Sequence, residues 1–480
     1  MSDDFAHLDA TAQAELVRRG DASPRELVDA AIARVERLNP TLNAVIHPAF
    51  ERARAAAASP ELPQGPFRGV PFLMKDIGGP EAGHPYHAGM RFLRDADWRV
   101  RDDAYITQRF RGAGLVSLGR TNTPELALLP TTEPEAYGPT HNPWNPGRSS
   151  GGSSGGAAAA VAAGLVPCAH ASDGGGSIRG PASMCGLVGL KPTRARSSFG
   201  PAIGERWSGF SVEFAVTRSV RDAAALLDVI AGPGLGDPYV ATPPQRPYAT
   251  EATTPPGRLR VGVMRRLPRD GALHPECLAA VDRTATLLAD AGHVVEEAHP
   301  AALDEHETVM VYIGIVTANT ARALASWGDQ VGRPMTAGDC EPLTWMLAER
   351  GRQLSAIDHL ANVEFVHAYG RRLAAWWASG FDLLLTATQG APPPELGYIT
   401  STPEEPLRAF MRAAPYGAAT LPFNMSGQPA VSLPVHMTAD GLPVGVQLVA
   451  AYAREDLLLR MAAQLEAAVD WASRRPPLHG

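Results

Sequence analysis

One stretch limits what this 480-residue chain can fold into more than any other. Gly151-Gly152-Ser153-Ser154-Gly155-Gly156 runs into a small-residue segment, 157–164, and a second loop follows, Asp173-Gly174-Gly175-Gly176-Ser177-Ile178-Arg179. Two glycine-serine loops therefore bracket one small-residue helix. Glycine lets a backbone take positive φ and approach a ligand closely, and consecutive N–H groups in such a loop form a nest for negative charge. A flexible linker or a phosphate loop has a similar composition. Yet no Gly-Lys-Ser/Thr ending is present, and no G-x-G-x-x-G follows a strand in a dinucleotide-binding unit. The runs also lie between the apolar segment 157–164 and the compact Cys185-Gly186-Leu187-Val188-Gly189-Leu190-Lys191-Pro192, where a linker is out of place. The N–H groups of Gly174, Gly175, Gly176 and Ser177 read as an oxyanion hole, each well-placed donor worth ~3–4 kcal/mol to a transition state. Ser177 is the candidate nucleophile.

Composition adds a second pointer. Of 43 basic Lys and Arg residues only Lys75 and Lys191 are lysine. Where arginine would serve, arginine is used, so a retained lysine raises the question of what arginine cannot do. One answer is to lose its proton and act as a base. Chance or packing is the competing explanation, and the surroundings of each lysine decide between them.

Hydrophobic residues at 45% and charged residues at 19% describe a chain able to bury a large core. A formal charge of −7 offers no basic field for nucleic acid, which leaves small molecules as the expected partners. Four cysteines without CxxC spacing fit a reducing compartment. The first residues are acidic, unlike a signal peptide, and no continuous apolar run approaches the ~20 residues that span a bilayer. A cytoplasmic protein without a membrane role is expected.

Along the chain, Ser23-Pro24-Arg25-Glu26 predicts a capped helix over 27–38, ended by a turn at Asn39-Pro40. Strands are expected over 43–46, 70–74 and 114–119, with a helix over 103–113, and Lys75 falls where a strand ends. This βα alternation predicts an α/β sheet. A proline-rich stretch, 231–258, reads as a connection or surface crossing. Beyond it, strands are expected over 259–264, 293–297, 430–434 and 444–450, and helices over 275–291 and 455–468. The region 308–412 is less regular and is a candidate pocket wall. His84 and His87, spaced H-P-Y-H, lack a Cys, His or Glu cluster and read as loop histidines. His141 and His170 have no serine and aspartate placed for a Ser-His-Asp system. No metal or cofactor is implied.

The run from Gly151 through Pro181 to Thr193 resembles the amidase signature family, whose motif reads approximately GGSSGG, a spacer, D-x-GGS-[IV]-R-x-P, then CG-x-x-GLKPT. The segments 69–76, 119–125, 142–145, 422–430 and 441–447 are similar to its flanking patterns, so the resemblance spans nearly the whole chain. It implies a single α/β domain over 1–480, a mixed sheet covered by helices on both faces, with the core signature at 69–220. It also implies a Ser–cisSer–Lys triad: Ser177 as nucleophile, Ser153 as bridging serine after a cis Gly152–Ser153 bond, and Lys75 as base. Neutral Lys75 would take a proton from Ser153, which takes one from Ser177. Burial must lower the lysine pKa for this, and an inward-pointing Asp76 would oppose it. Ser154, Asp173 and Arg179 are expected to support the loops, and Lys191 to be structural. Ser172 and Gly174 depart from the family pattern, which usually holds Thr or Asn and a bulkier residue there; a looser oxyanion loop is the expected effect.

Within the family, 132–138 and 446–456 resemble most the branch that hydrolyses the 6-aminohexanoate cyclic dimer. The implied substrate is a bulky, uncharged amide such as a nylon-type oligomer, with Asn122, Thr131, Tyr137 and Val316 as candidate pocket residues. A carbamate or an ester offers the same attackable carbonyl, so a urethane-cleaving enzyme is a rival reading. An amidotransferase subunit working with partner chains, and a non-catalytic relative, are two others. Dimerisation is common in such families, so the resemblance leaves a homodimer open, although nothing in this sequence shows one.

Overall fold

In the computed structural model, which describes residues 4–480, eleven strands form one mixed sheet. In chain order the strands are β1 (Val45–Pro48), β2 (Pro71–Lys75), β3 (Val116–Thr121), the hairpin β4 (His141–Asn142) and β5 (Asn145–Ser149), β6 (Cys168–Asp173), β7 (Val188–Lys191) and β8 (Val212–Thr217). There follow β9 (Arg260–Val263), β10 (Val294–Glu297), β11 (Leu383–Ala387), β12 (Ala430–Met437) and β13 (Pro443–Ala450). The sheet order is β1-β3-β2-β6-β8-β7-β12-β13-β11-β9-β10, with β4 and β5 apart from it. Strand β2 runs parallel to both β3 and β6, while β6, β8, β7, β12, β13 and β11 are antiparallel in succession.

The parallel pairing of β2 with β6 positions the site. Phe72 pairs with Cys168 and Leu73 with Ala169, so the carboxyl ends of the two strands carry Lys75 and Ser172 side by side. Crevices outside the carboxyl ends of such strands are where α/β proteins bind ligands. Helix Gly155–Ala162 lies entirely buried and packs on β6, β2 and β8. Only small residues allow this approach: a Cβ on Gly156 would stand 2.5 Å from the Asn122 amide nitrogen.

Local signals explain most boundaries. Ser23 caps helix Pro24–Leu42 in a reciprocal capping box with Glu26. The helix outlasts the expected turn: Pro40 lies in its last turn, where it forgoes the bond to the Glu36 carbonyl but only two helical residues follow it. Asn39 then accepts the N–H groups of Ala44 and Val45 at 2.9 and 2.8 Å, which moves β1 two residues beyond its expected start. The stretch 231–258 is irregular apart from the short helix Tyr248–Glu251. The region 308–412 is more regular than its sequence suggests. It holds the helices Glu307–Val331, Pro342–Gln353 and Ala356–Ala378, the fully buried β11 between β13 and β9, and the start of helix Arg408–Gly417. Helix Glu307–Val331 is long and apolar enough, by length and composition alone, to cross a membrane; here it packs against the other two helices.

Candidate active site

Lys75, the last residue of β2, is fully enclosed. Its Nζ lies 2.7 Å from Ser153 Oγ, 2.9 Å from Ser154 Oγ and 3.0 Å from Ser172 Oγ. Among the described residues no carboxylate comes within ion-pair distance of it. Burial dominates its titration and lowers the pKa to about 7, against the attraction of Asp173 and Glu213 and with help from Arg206. Asp76 does not interfere: its carboxylate turns away to accept the N–H groups of His87 and Gly89 at 3.1 and 3.3 Å. The other lysine is equally enclosed, but among the described residues its Nζ reaches only the Pro192 carbonyl, at 2.9 Å.

The bond between Gly152 and Ser153 is cis. Gly152 is pressed against the main chain of Thr131, where a Cβ would lie 2.4 Å from nitrogen, and Thr123 Oγ1 donates to the Ser153 carbonyl at 2.9 Å. Ser153 is thus held from both sides with its hydroxyl toward Lys75.

The loop after β6 is clamped from below by one ion pair. Arg179 meets Asp173 through Nε to Oδ2 and Nη2 to Oδ1, both 2.9 Å, with neither side chain exposed. Such a two-pronged, charge-assisted contact fixes both planes. Asp173 also accepts the N–H of Gly176 at 2.7 Å and of Ile178 at 3.2 Å. Three distant residues complete the clamp. Asn424 donates to Asp173 Oδ1 at 2.8 Å, Gln447 accepts from Arg179 at 2.6 Å, and Thr420 donates to the Gly175 carbonyl at 2.6 Å. The glycines are required by contact: a Cβ on Gly174 would stand 3.0 Å from the Trp207 ring, on Gly175 2.5 Å from the Tyr312 hydroxyl, and on Gly176 2.4 Å from Thr420 Oγ1. The departure at Gly174 therefore makes room for Trp207 and does not slacken the loop.

Expectation and structure differ at one donor. The Gly176 N–H is committed to Asp173, so that residue supplies a turn, at φ +134, and not a hydrogen bond to a ligand. The N–H groups of Gly174, Gly175 and Ser177 donate to no acceptor among the described residues. In a trans peptide the N–H points opposite to the preceding carbonyl; the carbonyls of Gly174 and Gly176 are drawn off by Tyr312 at 3.4 Å and Gly180 at 2.7 Å. Ser177 is partly exposed, and its hydroxyl makes no hydrogen bond among the described residues.

Ser177, Ser153, Ser172 and Gly174 open onto a cavity of ≈ 890 Å³. Its walls are mainly apolar, with Tyr86, Trp98, Trp327 and Trp207 as the large aromatic faces. Arg101, Arg206 and Arg322 face it together with Asp102, Asp103 and Glu213, so opposite charges balance. From the region 308–412 only one face of helix Glu307–Val331 reaches it, and apart from the four residues of the glycine-serine loops and β6 the rest comes from segments 77–128 and 199–213.

None of the four residues expected to shape the pocket lines this cavity. Asn122 donates to the Gly138 carbonyl and to Thr140, both at 3.0 Å. Thr131 bonds Glu133 and Ser149, and Tyr137 bonds His87. Their polar groups hold loops together. Val316 packs with Leu343, Leu347 and Met184 in an apolar cluster. Trp207, Tyr312 and Thr420 carry no local sequence signal of a site and Ser172 shows only as a departure from the family pattern, whereas Asn424 and Gln447 lie inside segments similar to it.

A lone lysine amine held by serine hydroxyls beside a glycine-built loop defines a class of hydrolase, and residues 26–459 match the family model described as Amidase. The chain belongs to the amidase family. It is 47% identical over 478 residues to the 6-aminohexanoate-cyclic-dimer hydrolase of Paenarthrobacter ureafaciens, a match spanning 98% of this chain and 96% of that one. The acylamidase of Rhodococcus erythropolis is 34% identical, covering 98% and 97% of the two chains. Among solved structures, 6-aminohexanoate cyclic dimer hydrolase complexed with substrate superposes with a TM-score of 0.96 at 46% identity, over 99% of this chain and 100% of that one. One subunit of the glutamyl-tRNA(Gln) amidotransferase of Thermotoga maritima gives 0.79 at 25% identity over 99% of each chain.

Proposed function

We propose that this chain hydrolyses carboxamide C–N bonds through an acyl-enzyme on Ser177, with Ser153 as proton bridge and Lys75 as base. The observation that carries the reading is the enclosed Lys75 amine, 2.7 Å from Ser153 Oγ and with a pKa near neutrality. A neutral amine there takes the Ser153 proton while Ser153 takes that of Ser177. The Ser177 oxygen attacks the substrate carbonyl, and charge developing on its oxygen is met by the N–H groups of Gly175 and Ser177. Ser153 then passes a proton to the departing amine, and water repeats the sequence on the acyl-enzyme. Arginine at position 75 would stay protonated and stop the first step.

The substrate we assign is a bulky amide without net charge, of the kind represented by cyclic and linear 6-aminohexanoate oligomers. The apolar aromatic walls and balanced charges of the cavity support this, as does the 47% identity to hydrolases named for the cyclic dimer. The amidotransferase reading has weaker support, at 25% identity. Four unpaired cysteines, all buried, agree with a cytoplasmic setting.

The test is a panel sharing one acyl group as anilide, alkyl amide, carbamate and ester, together with the 6-aminohexanoate cyclic dimer, with Ser177→Ala as blank. Turnover of the amides by the chain alone is the expected result. Preference for the carbamate would make it a urethane hydrolase. No turnover in a chain that a fluorophosphonate still labels at Ser177 would return the amidotransferase reading.

A further inference from the structure

Three groups surround Lys75 without joining the proton relay. His170, buried on β6, accepts the Lys75 backbone N–H at Nδ1, 3.3 Å away. An accepting Nδ1 puts the proton of the neutral ring on Nε2, and that nitrogen faces Glu213 Oε2 at 3.7 Å. Glu213, buried on β8, accepts the Gly79 N–H at 3.3 Å and has no room to shift, since a Cβ on Gly78 would lie 2.3 Å from its Oε1. Burial alone would push this carboxyl up, but His170, Arg206 and the Gly79 amide hold it below its ordinary value, so it is charged. Arg206, partly buried, opens onto the same cavity as Glu213.

The charged groups that bear on Lys75 come from several elements. Asp173 on β6 is neutralised by its ion pair with Arg179. Arg120 on β3 donates to the Lys75 carbonyl and lies 3.7 Å from Asp76. Glu213 meets the His170 ring at 3.7 Å, and among the described residues Arg206 has no carboxylate within ion-pair distance; after Asp173, these two side chains are the charges that bear most on the amine, with opposite sign.

We propose that Glu213 is a positioning residue for the amide hydrolysis: through His170 it fixes the main chain of Lys75, and its charge, opposed by Arg206, sets the pH range in which Lys75 can take a proton. This rests on the acyl-enzyme reading above. A carboxylate favours the protonated amine and a guanidinium disfavours it, so the two side chains pull the activity profile in opposite directions.

The experiment follows inactivation by an uncharged fluorophosphonate over about pH 5 to 9, which reports activation of Ser177 whatever the natural substrate. Glu213→Gln moves the acid-limb midpoint down by about half a unit to one unit, Arg206→Gln moves it up by a similar amount, and Glu213→Asp returns it toward wild type. Midpoints that stay at the wild-type value in both variants, or that move the same way, overturn the proposal. If Glu213→Gln does not fold, judged by circular dichroism, Arg206→Gln decides alone. Failure of the underlying reading shows separately, as wild-type labelling of Ser177→Ala or an unaltered profile in Lys75→Ala.

Discussion

Ser172 Oγ stands 3.0 Å from Lys75 Nζ, across two parallel strands that end together. A neutral lysine amine has two N–H groups and one lone pair. Ser154 directs its own hydroxyl to the Ser172 carbonyl at 3.3 Å, so it accepts one N–H from Lys75. With Ser172 accepting the other, the lone pair is left for Ser153. Ser172→Ala frees the amine to rotate and should lower kcat/KM about 10- to 30-fold, the scale of one lost hydrogen bond of ~1.5–2 kcal/mol, while Ser172→Thr keeps most activity. Equal activity in the alanine variant would remove Ser172 from the relay.

Lys75→Arg keeps charge and bulk but cannot supply a base. It should lose turnover by at least about a thousandfold, as should Ser177→Ala. A lysine base is competent only when neutral, and burial lowers the Lys75 pKa to about 7. Activity should therefore be level above neutrality and fall about tenfold per unit below it. Profiles of kcat/KM on a substrate that does not titrate check this, and a flat line down to about pH 5 would rule out a lysine base.

Gly176 occupies φ +134 with Thr420 where its side chain would be. Gly176→Ala should displace the loop from Asp173 and cost about a hundredfold in kcat, the scale of a lost oxyanion donor, with the global fold retained. Near-wild-type labelling rates in a folded Gly176→Ala protein would contradict the clamp formed by Asp173 and Arg179.

Glu125 is enclosed beside Glu341, whose backbone N–H it accepts at 2.8 Å. Burial first, and then the neighbouring Glu341 carboxyl, push its pKa well up, against Thr344, the Glu341 amide and Arg91. The folded chain thus keeps a proton that the unfolded chain releases, and this contribution to stability is present at low pH and drains away as pH rises past the ordinary carboxylate range. Glu125→Gln removes the dependence. Its melting temperature should gain about 1–2 °C relative to wild type between pH 6 and pH 9. A difference that stays constant with pH would mean Glu125 is not protonated in the fold.

Lys75 and Ser177 stand out in local sequence, a lysine where arginine is the habit and a serine inside a glycine loop, whereas Ser153 and the proposed relay among the three enter through the family resemblance. The α/β alternation was legible for the same local reason, through capping residues and apolar runs. What surrounds the triad was not. Thr420 and Asn424 reach the loop from some 245 and 251 positions away, a distance at which one sequence carries no pairing signal. Asn122, Thr131 and Tyr137 are expected in the pocket, yet each satisfies its polar groups inside a loop. Strand β11 escaped notice because a short apolar run between helix formers reads equally well as helix.

Both lysine side chains of this protein are sealed from solvent. Reagents that acylate or cross-link surface amines would thus find no lysine on the folded molecule and, apart from the chain's own α-amine, nothing to attach to. The folded enzyme should pass through succinimidyl esters or glutaraldehyde unmodified at its side-chain amines, and coupling it to a support calls for carboxylate or guanidine chemistry.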